Sequence, residues 1–196
     1  MLSNYLISKD TSWLTGVYDQ NGRPITRVLE KGKDFLVNMT PQAIIEDTLN
    51  YYGSNLQGAL ASAKKLFGNI KMTPFIVIPR HAVCLFPTKS PSKHGCIFIN
   101  VQHILNTVPH DRHTKIFFIY DRTLVIPSRY GQFIQKKDKA EQLQRISYAR
   151  NEGLIEPYQP TKQHDYFYSQ ETGLLTLTRE ESSNETGDDG ISGLVK

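Results

Sequence analysis

Acidic residues are missing from a long internal stretch of this chain. Between Asp47 and Asp111 there are six lysines and arginines and no aspartate or glutamate. Cysteine is scarce, two in 196 residues, which excludes a disulfide-stapled scaffold. With no apolar N-terminal run, this points to a reducing, cytoplasmic setting without a signal peptide. No apolar run approaches the roughly 20 residues of a membrane span, and Ile116 to Tyr120 is far too short. No glycine-rich phosphate loop, nucleophile motif or acidic pair beside a basic groove occurs, and Gly53-Ser54 lacks the strand a nucleophile turn needs. Neither an enzyme nor a cofactor is expected. Internal repeats and heptads are also lacking.

What is present is a charge asymmetry. Residues 1–150 hold 20 Lys and Arg against 10 Asp and Glu, a net of +10, whereas residues 151–196 hold 3 against 9, a net of −6. A basic body with an acidic tail suits a polyanion-binding surface and a segment that acts elsewhere or shields it. The domains expected are therefore 1–150, a folded polyanion-binding domain, and 151–196, an acidic and largely flexible tail.

Thr40 to Gly68 reads as two short helices meeting at a corner. Thr40 is a good N-cap before Pro41, and Ile44, Ile45, Thr48, Leu49 and Tyr52 recur at helical spacing up to Gly53. Ser54 is the expected second N-cap, with Gln57 completing a capping box. Leu56, Ala59, Leu60, Ala63 and Phe67 then form an apolar stripe, and the outward face carries Asn55, Gln57, Ser62, Lys64 and Lys65.

Strands are expected around this pair. Tyr5 to Ile7 and Trp13 to Tyr18 are β-prone, Asp19-Gln20-Asn21-Gly22 is a turn, and Ile25 to Glu30 and Phe35 to Asn38 follow. After Gly68 come Phe75 to Ile78, Val83 to Phe86, Cys96 to Ile99, Lys115 to Tyr120 and Thr123 to Ile126. Ser128 to about Arg150 is a third, basic helix whose apolar residues form no clean stripe. On it Lys136, Lys139 and Arg150 lie within about 60° of one another. The order predicts an α+β fold with a mainly antiparallel sheet, a helix pair at about 41–67 and a basic helix at about 128–150. Beyond Asn151, Ser182 to Gly193 reads as disordered, with apolar islands at Tyr166-Phe167-Tyr168 and Leu174 to Leu177.

Two clusters invite a metal or a catalytic reading. His81, Cys84, His94 and Cys96 fall within sixteen residues, but their spacing is no usual zinc frame, and both cysteines sit in apolar strand patterns that favour core packing. His110-Asp111-Arg112-His113 follows Pro109 and reads as a polar surface loop. The loop Pro87-Thr88-Lys89-Ser90-Pro91-Ser92-Lys93 is more telling. It is rich in hydroxyls, has two lysines and lacks acids, so it can place donors on phosphates or enter a narrow groove. Phe75, Phe117, Phe118 and Tyr120 lie in strand patterns and favour the core over base stacking.

Several segments resemble, in register, the competence transcription factor family, ComK. They are Phe35-Leu-Val-Asn-Met-Thr-Pro41, Tyr51-Tyr-Gly-Ser-Asn55, Leu85-Phe-Pro-Thr88 with Ser90, Cys96-Ile-Phe-Ile99 with His103-Ile104, and Ile126-Pro127 leading to Tyr130 and the basic helix. The likeness runs over roughly residues 25–150. It implies a bacterial transcription activator that binds paired A/T-rich boxes as an oligomer, mainly through the minor groove, and whose level is set by adaptor-directed proteolysis. The partners so implied are double-stranded DNA, further copies of the chain, a proteolytic adaptor and RNA polymerase, and no membrane.

The expected site is therefore cationic. Lys64, Lys65, Lys89, Lys93, Arg129, Lys136 and Lys139 would contact phosphates or enter an A/T-rich minor groove, where the negative potential favours long cationic side chains. A variant treats the Gly53-Ser54 corner as a helix-turn-helix with Asn55 and Gln57 reading the major groove. A rival of a different class is a protein-interaction module acting through the tail, with a nuclease third.

Overall fold

The computed structural model describes residues 1–93, 95–154, 164–173 and 175–179. The chain divides into two compact units, Met1–Ile155 and Glu156–Lys196.

The first unit opens with a meander of β1 (Thr11–Tyr18), β2 (Pro24–Glu30) and β3 (Lys33–Val37). The Asp19 carboxylate accepts the backbone N–H groups of Asn21 and Arg23, and Gly22, at φ 73°, closes the β1–β2 turn. Next come α1 (Pro41–Tyr51), α2 (Leu56–Phe67), β4 (Phe75–Ile78), β5 (Val83–Pro87) and β6 (Ile97–Asn100). The six strands form one sheet in the order β3-β2-β1-β6-β5-β4, antiparallel throughout. A second sheet, β7 (Ile104–His110), β8 (His113–Phe118) and β9 (Arg122–Ile126), precedes α3 (Tyr130–Asn151). The architecture is α+β and mainly antiparallel, as the order of elements predicts.

Alternation along the central strands feeds two cores. Val83 and Leu85 of β5 join α1's Ile44, Ile45 and Leu49 in the first. Cys84 and Phe86 point the other way, into a second core with Phe133, Ala140 and Leu143 of α3 and Ile116, Phe118 and Ile126 of the small sheet. The two cysteines are divided the same way, Cys96 in the first core and Cys84 in the second. Burial raises the pKa of both thiols. His94, the remaining imidazole of the zinc-like set, lies outside the described residues, while His81 is exposed.

Three local readings need correction. Strand β7 was not among the expected strands, and His110 and His113, read as part of a surface loop, end β7 and begin β8. Pro109 lies within β7. It is tolerated because β7 is an edge of the three-stranded sheet, and His110 pairs with His113 across a tight turn with Asp111 at φ 52°. Tyr5 to Ile7 forms no strand; the Ile7 N–H donates instead to the Thr48 hydroxyl of α1. The cap of α2 is Asn55, whose carboxamide oxygen accepts the Gly58 N–H at 2.7 Å, and not Ser54. Helix α3 buries Phe133, Ala140 and Leu143, while Lys136 and Lys137 fill the turn between the first two, so its apolar residues form no clean stripe, as the sequence predicts.

One buried titratable group joins the two sheets. His103 follows β6, and its Nε2–H donates to the Lys9 carbonyl at 2.9 Å, which makes Nδ1 the acceptor of the Ser12 hydroxyl at 2.8 Å. Desolvation holds this imidazole below its ordinary pKa, partly opposed by the Lys9 carbonyl and the nearby Asp10. The unfolded chain therefore takes up the proton first on acidification. The stabilisation is complete above about pH 6.5 and is lost as pH falls through the lower folded value. A urea midpoint that drops between pH 7.5 and 5.5, and a flatter profile in His103→Gln, are the expected results.

In the second unit, β10 (His164–Tyr168) and β11 (Leu175–Arg179) pair as an antiparallel hairpin with Tyr166 opposite Leu177. The apolar islands noted in the sequence supply these strands. Ser182 to Gly193 lies outside the described residues. Among the described residues, no helix is long and apolar enough to cross a membrane.

Candidate nucleic-acid interface

The loop from Pro87 to Cys96 is held at its base on several sides. Thr88 and Ile97 exchange two bonds, the Thr88 N–H to the Ile97 carbonyl at 2.9 Å and the Ile97 N–H to the Thr88 hydroxyl at 3.1 Å. Two turns follow, Lys93 N–H to the Ser90 carbonyl and Cys96 N–H to the Lys93 carbonyl, and the Cys96 thiol donates to the Lys89 carbonyl at 3.2 Å. Pro91, Ser92 and Lys93 are left exposed at the tip. Backbone turns and a proline at the tip hold a lysine out without leaving much loop entropy to be lost on binding.

The last anchor comes from α3. Lys136 Nζ donates to the Thr88 carbonyl at 2.5 Å, and partial burial lowers the pKa of this ammonium. Lys136 thus occupies the inward turn of the helix, about 60° around the wheel from Lys139. Gln144 reaches the Ala82 carbonyl and Asn151 the Pro79 carbonyl farther along, so polar side chains from one helix bind successive carbonyls bordering β5. Lys136→Met removes the only bond to the Thr88 carbonyl among the described residues, and Thr88 is 8% exposed. The expected cost is about 1–3 kcal/mol, with faster hydrogen exchange confined to residues 88–96.

The other predicted cations fall in different places. Lys64 of the helix pair and Lys93 of the loop both line one groove of about 820 Å³. Lys65 is exposed beside Lys64 in the last turn of α2, where cations complement the helix dipole. Lys89 comes from the same loop as Lys93. Arg129 is exposed at the N-cap of α3, and Lys139 lines a separate shallow surface with Gln135, Asp138, Gln142 and Arg145. Ion pairing removes other cations from contention: among the described residues the pairs are Arg27–Asp34, Lys31–Asp10 and Lys137–Glu141. None of the six basic residues between Asp47 and Asp111 is in one. Sequence reasoning passed over the groove itself, because its walls come from α1, α2, β1 and the loop, which only the sheet order brings together.

The helix corner also takes a definite form. Four residues, 52–55, separate α1 from α2, with Gly53 at φ 72°. Asn55 is spent on its cap, while Gln57, Lys64 and Lys65 stay exposed.

Residues 2–152 match a protein-family model described as ComK protein. A curated relative, the competence transcription factor of Bacillus subtilis (strain 168), is 27% identical over 115 residues, which is 58% of this chain and 59% of that protein. The match thus spans less than two thirds of the relative's length. No solved structure matches. Because the family match takes in both sheets of the first unit and all three helices, the chain belongs to the ComK protein family.

Proposed function

We propose that this chain is a double-stranded DNA-binding transcription regulator, an activator that reads A/T-rich promoter boxes mainly through the minor groove and acts as an oligomer. The observation that carries the reading is the acid-free run from Lys64 to Lys93, whose cations take part in no ion pair among the described residues. A basic loop tip beside a basic helix end suits a duplex, where phosphates set register and narrow A/T tracts attract inserted cations. The name of the curated relative agrees with a role in transcription.

Lys64, Lys65, Lys89, Lys93, Arg129 and Lys139 are assigned to phosphates or the groove, and Lys136 to holding the loop. Specificity would come largely from duplex shape, since the minor groove scarcely distinguishes A·T from T·A. In a mobility-shift assay, A/T-rich duplexes should bind at least about tenfold tighter than G/C-rich ones of equal length. A minor-groove competitor should displace the protein. Equal affinity for both duplexes would overturn the reading.

The four-residue joint between α1 and α2 favours a second geometry, with Gln57 and the exposed face of α2 in the major groove. Methylation of guanine N7 would then block binding, whereas the first geometry tolerates it.

A further inference from the structure

The groove shared by Lys64 and Lys93 is larger than a phosphate contact needs. Its volume, about 820 Å³, falls within the range of small-molecule sites. Its floor is apolar, with Ile45, Leu56, Leu60, Ile70, Phe75 and Phe98 among its lining, and among the described residues no aspartate or glutamate lines it. The two ammonium groups come from separate elements, α2 and the β5–β6 loop. The loop's anchoring keeps its wall in place without a ligand.

We propose that this groove binds a small amphipathic anion, an apolar body carrying one carboxylate, sulfonate or phosphate group that is held between Lys64 and Lys93. Charge complementarity selects this class over a neutral apolar ligand. An anionic head gains charge-assisted bonds from both ammonium groups, while a neutral molecule gains only the floor. A fatty acid and a phosphate monoester share the required chemistry. Occupancy would also withdraw two cations from DNA, a consequence that rests on the function proposed above.

The binding test uses the full chain without DNA. Anilinonaphthalene sulfonate should bind at one per chain, and the neutral probe N-phenylnaphthylamine at least about tenfold more weakly. Lys64→Gln with Lys93→Gln, both exposed, should weaken the sulfonate by about tenfold and leave the neutral probe unchanged. Leu60→Trp should block both probes with the melting transition retained, and the lysine pair decides the matter if that variant does not fold. Equal binding of the two probes, or a sulfonate affinity indifferent to the lysine pair, would overturn the site. Displacement by dodecanoate against dodecyl phosphate identifies the preferred head. Either ligand should then weaken A/T duplex binding. A protein that binds the sulfonate but no duplex refutes the DNA reading alone, and one that binds duplex but no sulfonate refutes the groove alone.

Discussion

Raising salt from 50 to 200 mM should weaken duplex binding by about a thousandfold. Six side chains, Lys64, Lys65, Lys89, Lys93, Arg129 and Lys139, are assigned to the polyanion, and each neutralised phosphate contributes about 0.9 to the slope of log affinity against log salt. Six such contacts give a slope near −5. The same experiment separates the two lysines of α3. Lys139→Met should flatten the slope by about one, because a phosphate contact and its released counterion are lost. Lys136→Met should lower affinity with the slope unchanged, because its ammonium holds the Thr88 carbonyl and the harm passes through the loop. A slope near zero in the unsubstituted protein removes the cationic surface from the account. A flatter slope in Lys136→Met instead returns that residue to the phosphates.

The contrast between these lysines shows where the sequence is legible. Helix starts at Thr40 and Pro41, the Asp19–Gly22 turn and most strands follow from local chemistry, and each is present. The resemblance, carried by short segments in register between residues 25 and 150, extends in the family match to residues 2–152. Two things escaped because neighbours decide them. Pro109 is compatible with a strand only at an edge, and edge position is a property of the sheet. Lys136 reads as solvated by its charge, yet at 100° per residue it falls among buried Phe133, Ala140 and Leu143, on the stripe that meets the second core. A lysine can occupy that turn because its stem packs while its ammonium finds a carbonyl, and only the position of Thr88 reveals the carbonyl. The cations themselves were therefore legible in the sequence, and their arrangement was not.

Phe133→Ala should cost about 3–5 kcal/mol, the largest single loss expected from truncating one side chain here. Phe133 is fully buried, and its ring meets that of Phe86 with centroids 5.7 Å apart and planes inclined at 55°. Its core also contains Ile116, Phe118 and Ile126, so one side chain joins α3 to the central sheet and to the small one. The cavity cannot refill easily, because Lys136 and Lys137, the neighbours one turn away, are tied to Thr88 and Glu141. Such a loss is a large fraction of the roughly 5–15 kcal/mol that holds a domain folded. It should appear as a lower urea midpoint at an unchanged m-value. Phe133→Leu, which keeps most of the volume, should cost less than half as much. The DNA reading makes a further demand on that variant. Phe133 meets the assigned Arg129 through its backbone, its N–H donating to the Arg129 carbonyl at 3.1 Å, a bond leucine retains. A folded Phe133→Leu protein should therefore keep the steep salt slope even as its midpoint falls. A loss below 1 kcal/mol for alanine would mean that α3 is not seated on Phe86, and the anchoring of the basic loop through Lys136 would fail with it.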